Sequence, residues 1–370
     1  MTTARRSLLT AAVLAPLLIG VTACGYGSNN SSDDSGTPAD RENAGDVLSV
    51  DNVNIGYFAN ITHATAVIGL QDGGLIEREL GGTTFTPSIF NAGPSAIEAL
   101  NGDSIDVTFI GPNPAINGWA QSGGRNLRIV SGAASGGASL VVNPDRISGL
   151  DDLEGATLAT PQLGNTQDVA LLSYLADQGF DVDPTTGAGE VDVVRIANAE
   201  IPTAFEGGDI DGAWVPEPTA AKLINQGAVE ILDEAELWEN GQYVVTHVIA
   251  AQSFLEEHPD VVEAIIRGVV RTNAWINEHP EEAKEQFNAA IAALPGGSEL
   301  PAEVLDPAFD HVEFLNDPLA DSLRISAEST VNAGLLDEVD LAGIYDLSLL
   351  NRVLAEEGLE PVSDGGLGVE

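Results

Sequence analysis

The stretch Ala99-Leu100-Asn101-Gly102-Asp103-Ser104-Ile105-Asp106-Val107-Thr108-Phe109-Ile110-Gly111-Pro112 returns in outline as Ala204-Phe205-Glu206-Gly207-Gly208-Asp209-Ile210-Asp211-Gly212-Ala213-Trp214-Val215-Pro216-Glu217. The offset is constant, with 105 positions separating Asp106 from Asp211. Each copy reads as a helix end, a glycine turn, an Ile-Asp pair, a short apolar strand and a proline-containing loop. Two units on one plan, about a hundred residues apart, predict two lobes of the same α/β construction.

The chain around these units alternates short β-rich runs with helical patterns. Strands are expected at Val53–Phe58, Phe85–Phe90, Val107–Ile110 and Leu127–Ser131, then at Thr157–Ala159, Val191–Ile196 and Gly212–Val215. Helices are expected between them, at His63–Asp72, Ser95–Leu100, Pro114–Gln121, Gln167–Gln178 and Ile201–Phe205. That alternation implies parallel sheets covered by helices. Two extended apolar runs, Ala138–Val142 and Tyr243–Ala251, are candidates for a chain that crosses to a second lobe and returns, which makes a two-stranded hinge. The expected division is 47–139 plus 248–370 for the first lobe and 140–247 for the second. After Phe254 the pattern is helical, and Val261, Val262, Ile265, Ile266, Val269 and Val270 share one face. These extra C-terminal helices are expected to clad the first lobe.

In open parallel sheets ligands sit beyond the carboxyl ends of the strands. The loops predicted there contain Asn60, Thr62 and His63; Asn91, Gly93, Pro94 and Ser95; Gly111, Pro112 and Asn113; Ser135, Gly136 and Gly137; and Gln162, Gly164, Asn165 and Thr166. They are rich in Gly, Asn, Ser and Thr, contain no Lys or Arg, and are read as leading into helices. A helix start presents unpaired N–H groups and a partial positive charge, so it holds an oxyanion without a cation. The same residue types are ordinary helix caps; the argument for a site rests on several such loops meeting at one edge. His63 is either a donor at its helix start or structural. His247, on the returning strand, faces either the cleft or the core. Trp214 is either an apolar wall or core, and Glu217 either binds a ligand amine or caps the next helix.

No catalytic constellation appears: there is no G-x-S-x-G, H-E-x-x-H, P-loop or G-x-G-x-x-G pattern, and the five histidines lack metal-ligand spacing. Neither an enzyme, a metal site nor a cofactor is therefore expected. The net charge of -43, with Lys222 and Lys284 the only lysines, excludes the basic patch that nucleic-acid binding needs. The acidic residues are scattered, which reads as a surface adapted to high salt, where self-repulsion is screened. Hydrophobic content of 44% suffices to fill the core of two medium domains.

The N-terminus carries Arg5-Arg6, an apolar run from Ser7 to Val21 and the small-residue site Val21-Thr22-Ala23 before Cys24. This is the order of a lipoprotein signal peptide, 1–23, with Cys24 as the lipidated residue. The paired arginines also permit twin-arginine export. Beyond Cys24, Gly25 to Asp46 is mostly Gly, Ser, Asn, Asp and Thr with almost nothing to bury, and 24–46 reads as a flexible tether to the membrane.

Several strings together resemble the nitrate/sulfonate/taurine-type substrate-binding proteins, above all the aliphatic-sulfonate branch. They are Gly56-Tyr57-Phe58 with Asn60-Ile61-Thr62-His63-Ala64; Phe90-Asn91-Ala92-Gly93-Pro94-Ser95-Ala96; Ile110-Gly111-Pro112-Asn113-Pro114-Ala115; Ser135-Gly136-Gly137; Ala159-Thr160-Pro161-Gln162-Leu163-Gly164-Asn165-Thr166-Gln167-Asp168; Asp211-Gly212-Ala213-Trp214-Val215-Pro216-Glu217-Pro218; and Thr246-His247. The resemblance runs from about Asn54 to Gly268. It implies a type II periplasmic-binding-protein fold, a ligand cleft between lobes lined by these loops, and delivery of a small anionic solute to an ABC permease and its ATPase. The N-terminal signal places the chain at the extracytoplasmic face, and a monomer is the simplest expectation. The family's ligands include sulfonates, taurine, nitrate and pyrimidine vitamin precursors, and a dipole-bound anion beside an apolar wall agrees best with an organosulfonate. Two other readings are a surface receptor without transport and an enzyme on the same fold. The enzyme reading resembles a pyridoxal-dependent route that needs a lysine, and neither Lys222 nor Lys284 lies in a predicted site loop.

Overall fold

The computed structural model describes residues 47–369; the expected signal peptide, tether and Cys24 lie outside them. Four strands open the first sheet: β1 (Asn52–Phe58), β2 (Thr84–Phe90), β3 (Val107–Ile110) and β4 (Leu127–Gly136). Five build the second: β5 (Ala138–Val142), β6 (Thr157–Thr160), β7 (Asp192–Arg195), β8 (Gly212–Pro216) and β9 (Val229–Asp233). The chain then returns, and β10 (Val244–Ala251) and β11 (Val312–Phe314) complete the first sheet.

The sheet orders are β2-β1-β3-β10-β4-β11 and β7-β6-β8-β5-β9. In the first, β1 runs parallel to β2 and β3, and β10 is antiparallel to β3. In the second, β6 runs parallel to β7 and β8, and β5 is antiparallel to β8. Four strands of each sheet thus follow one plan, and the repeated sequence units supply the same member of it, β3 and β8. Both are buried along their whole length, as expected of strands covered on both faces. Separate apolar clusters fill the two lobes: Val53, Ile55, Phe109, Ile249 and Ile265 belong to the first, Leu140, Leu158, Leu171 and Trp214 to the second.

Three expectations are corrected. The Ser131–Gly137 stretch does not lead into a helix. It forms the end of β4, because Ser135 pairs with Val244 and Gly136 with Val312, which satisfies its backbone on both sides. The chain crosses directly into β5 through Gly136 and Gly137, at φ of 78° and 75°, the left-handed region that glycine adopts without a Cβ clash. The return crossing ends before β10. A lobe boundary between 247 and 248 would cut a strand that belongs wholly to the first sheet.

The C-terminal tail is also more than cladding of the first lobe. Its helix Ala320–Asn332 packs against helix Pro112–Ser122 of the first lobe and helix Thr166–Asp177 of the second. Ala333 and Leu335, just beyond it, join the second lobe's core. Helix Ala302–Asp310 likewise contacts Thr219–Asn225 in the second lobe.

Candidate functional site

A small cavity lies between the lobes, with about 20 Å³ of room for the centre of a water molecule. From the first lobe it is lined by Phe58, Asn60, Thr62, His63, Asn91 and Gly111. The second lobe contributes Asn165, Thr166, Gln167, Asn198 and Pro216, with Val245 on the returning strand. None of these side chains is acidic, lysine or arginine.

Helix geometry explains the meeting. Gly111 precedes helix Pro112–Ser122 and Asn165 precedes helix Thr166–Asp177, so two helices from different lobes begin at one place. The positive ends of both helix dipoles lie there; Thr166 and Gln167 supply N–H groups on one side, whereas on the other Pro112 and Pro114 have none and Asn113 supplies the N–H. A Cβ at Gly111 would collide with Thr166 Oγ1, which explains why glycine is needed at that close approach. The Asn165 carboxamide spans the lobes: its Oδ1 accepts the Gly93 backbone N–H at 3.2 Å, at the start of helix Gly93–Asn101. Its Nδ2 donates to Gln167 Oε1 at 2.8 Å. Longer contacts join Gln162 Nε2 to Ser95 Oγ and Asn198 Nδ2 to the Asn91 carbonyl, both at 3.5 Å.

The loop carrying Asn165 is fixed from behind. Asp168, fully buried, accepts from Thr160 Oγ1 at 2.6 Å, Gly164 N at 2.9 Å and Arg195 Nε at 2.9 Å. Arg195 neutralises Asp168 outside the cavity and leaves the lining itself uncharged.

His63 is buried against Phe58, with ring centroids 4.3 Å apart. Burial pushes its pKa down to about 3, so the imidazole is neutral near pH 7. Its Nδ1 takes the acceptor role opposite the Phe58 N–H at 3.4 Å, which leaves the ring proton on Nε2. Two buried polar atoms of the lining have no partner, Thr166 Oγ1 and Asn198 Oδ1. Such groups are costly unless something else satisfies them. The cavity therefore holds neutral donors, helix starts and one free acceptor oxygen, suited to a small polar solute. Among the described residues no His, Cys, Asp and Glu cluster could hold a metal ion.

The structure brings Asn60, Thr62, His63, Asn91, Gly111, Asn165 and Thr166 together, and places Gly93, Ser95 and Gln162 in the contacts just behind them. Pro94 and Pro112 sit in the first turns of their helices, and Gly164 forms the turn before Asn165. Other expected residues serve elsewhere. Asn113 donates to the Ser326 carbonyl at 3.0 Å and to Thr330 Oγ1 at 2.9 Å on the C-terminal helix. Ser135 Oγ accepts the Tyr243 N–H, and Gly136 and Gly137 form the crossing. Trp214 is not a cleft wall: it is fully buried in the second lobe's core, where its Nε1 donates to Glu234 at 2.8 Å. Burial raises the Glu234 carboxyl to about 7. Glu217 accepts the Ala221 N–H at 3.0 Å and meets His311 Nδ1 at 3.1 Å, so it caps its helix and ties to the tail. His247 Nε2 meets the Pro318 carbonyl at 2.9 Å in the core.

Asn198 is a cavity residue that the sequence reading passed over. Its signal was available: it follows the expected strand Val191–Ile196, as Asn91 follows Phe85–Phe90. Gln167, Phe58, Pro216 and Val245 also line the cavity.

Known proteins share this architecture. The alkanesulfonate-binding protein of Xanthomonas axonopodis pv. citri, solved with MOPS bound, has a TM-score of 0.65 at 20% identity, covering 78% of this chain and 95% of its own. The nitrate-binding protein of Synechocystis PCC 6803 has a TM-score of 0.68 at 13% identity, covering 84% and 90%. In sequence, the putative aliphatic sulfonates-binding protein of Escherichia coli is 29% identical over 229 residues, 60% of this chain and 65% of that protein. The taurine-binding periplasmic protein of the same organism is 27% identical over 216 residues, 56% of this chain and 64% of that protein. The pattern of the NMT1-like family matches residues 46–292, most of the two-sheet body including both sequence repeats and every cavity residue, and the chain belongs to the NMT1-like family.

Proposed function

We propose that this chain is the exported solute-binding component of an ABC-type importer. It captures a small organic oxyanion, an aliphatic sulfonate or taurine, between its lobes and passes it to a membrane permease with its ATPase. It acts as a monomer and catalyses nothing. Cys24 carries the lipid that holds it at the extracytoplasmic face, and residues 24–46 give it reach.

The carrying observation is the uncharged cavity where helices from two lobes begin, with Thr166 Oγ1 and Asn198 Oδ1 left unpartnered. The roles follow from chemistry. The Thr166 hydroxyl, the backbone N–H groups of Thr166 and Gln167, and that of Asn113 between Pro112 and Pro114 donate to sulfonate oxygens. Asn60, Asn91 and neutral His63 add donors. Asn198 Oδ1 accepts from an amine, which favours an aminosulfonate over nitrate. The names of the Escherichia coli relatives support the same solute class.

The test is a thermal-shift screen of the full chain in high salt, with alkanesulfonates, taurine, nitrate, sulfate and aminopyrimidines. A solute present at a hundred times its Kd adds about 2.7 kcal/mol to the folded state. A dose-dependent rise with sulfonates or taurine is expected. A rise with nitrate or a pyrimidine alone would keep the clamp and overturn the solute. Retention in the membrane fraction that disappears in Cys24→Ser is the expected sign of the anchor.

A further inference from the structure

Beside this small cavity runs a larger groove of about 440 Å³, which shares Asn60, Asn91 and Asn198 with it. Its walls come from both lobes and from the tail segment after helix Pro280–Ala293, with apolar surface from Phe90 and Leu294. Lys222 lines it as well. In so acidic a chain, this lysine's isolation is unusual. Among the described residues its ammonium makes no ion pair and no hydrogen bond. The other lysine, Lys284, lies 3.3 Å from Glu281, 3.5 Å from Asp306 and 3.7 Å from Asp310.

Lys222 is half-buried, and that burial lowers its pKa. A partly desolvated ammonium without a counter-charge is unfavourable, and an anion placed in the groove relieves it. With so little room for the centre of even a water-sized sphere, the cavity suits a compact anionic head group, and the carbon chain of a longer solute extends beyond it. The adjoining groove offers an apolar path that passes a cation.

We propose, resting on the sulfonate reading above, that the groove seats a second acidic group of the solute against Lys222. The preferred solute is then a short sulfonate with a carboxylate at its far end. The cavity fixes the sulfonate by neutral donors, the apolar walls take the methylenes, and Lys222 selects the terminal charge.

The experiment is calorimetric titration of the full chain with propane-1-sulfonate and 3-sulfopropanoate, repeated on Lys222→Met. A charge-assisted contact in a partly buried site should make the wild type prefer 3-sulfopropanoate by about tenfold. In Lys222→Met that ratio should fall to one or below. No preference in the wild type overturns the proposal, whatever the variant does, and so does a preference that persists in Lys222→Met. If the wild type binds neither sulfonate, the sulfonate reading fails, and succinate then tests the groove alone. Lys222-dependent succinate binding would sustain the subsite, and its absence would overturn that as well.

Discussion

Asp106 and Asp211 stand at the same station of two different sheets. The Asp106 carboxylate accepts the backbone N–H of Asn54 in β1 at 2.7 Å, and that of Asp211 accepts the N–H of Thr157 in β6 at 2.9 Å. Their backbones correspond too: Asp106 N donates to the Asn54 carbonyl and Asp211 N to that of Thr157. The carbonyls of Asp106 and Asp211 in turn receive an N–H from the end of the antiparallel neighbour, from Ala251 and Asn143 respectively. The aspartate seals the mouth of a parallel strand pair, and Arg146 adds an ion pair on Asp211.

Replacing either residue with alanine strands a backbone N–H at the sheet end. Asp106→Ala and Asp211→Ala should each destabilise the fold by about 1–3 kcal/mol. Their effects should add in the double variant, since the two sites share no partner. Urea unfolding followed by tryptophan fluorescence measures this. A loss in only one lobe would break the equivalence.

Thr166→Val should change sign with the solute. In the free protein the Thr166 hydroxyl is buried without a partner, so its removal should leave stability unchanged or raise it by up to about 1 kcal/mol. Affinity for a sulfonate should fall about tenfold, since a bond to the anion is lost. Melting curves with and without solute check both halves. A variant that is destabilised in the free state would show that the hydroxyl is structural.

His63 predicts the pH response. Burial holds its folded-state pKa near 3, against 6.5 for an exposed histidine, and His247 is held near 4 by the same cause. Between these values the unfolded chain binds more protons than the folded one. The stability that each neutral histidine contributes above pH 6.5 is therefore lost as pH falls toward its folded value, at up to about 1.4 kcal/mol per pH unit. His63→Gln should flatten its share of that slope. Because His63 stays neutral, affinity for a sulfonate should not increase between pH 7.5 and 5.5, as titration calorimetry would show. An imidazolium in the site would make it rise.

The plan of the fold was legible because it is local. A glycine turn, an Ile-Asp pair and a short buried strand lie within fourteen consecutive residues in each repeat, although the bond that each Asp side chain makes, to the neighbouring parallel strand, reaches outside them. The cavity was legible where a residue precedes a helix, as with Asn60, Gly111 and Asn165, or opens one, as with Thr166. Legibility failed where a distant partner decides. Trp214 is claimed by Glu234, Glu217 by His311, and Asn113 by a helix that begins only at Ala320. Strand β8 is buried on both faces, so its residues carry no alternation to tell cleft from core. The tail's bridge between lobes had no motif to announce it.

The bond from the Gly93 N–H to Asn165 Oδ1 fills one of the helix starts with the protein's own oxygen. An arriving anion that needs this donor must displace an amide already in place, so it competes with a tethered rival whose local concentration the cell cannot dilute. Occupancy would then have a threshold: solutes too weak to evict the carboxamide would fail to register, however the lobes fluctuate. Discrimination among anions would thus rest in part on the resident they replace, and changing that one amide would reset the threshold for all of them together.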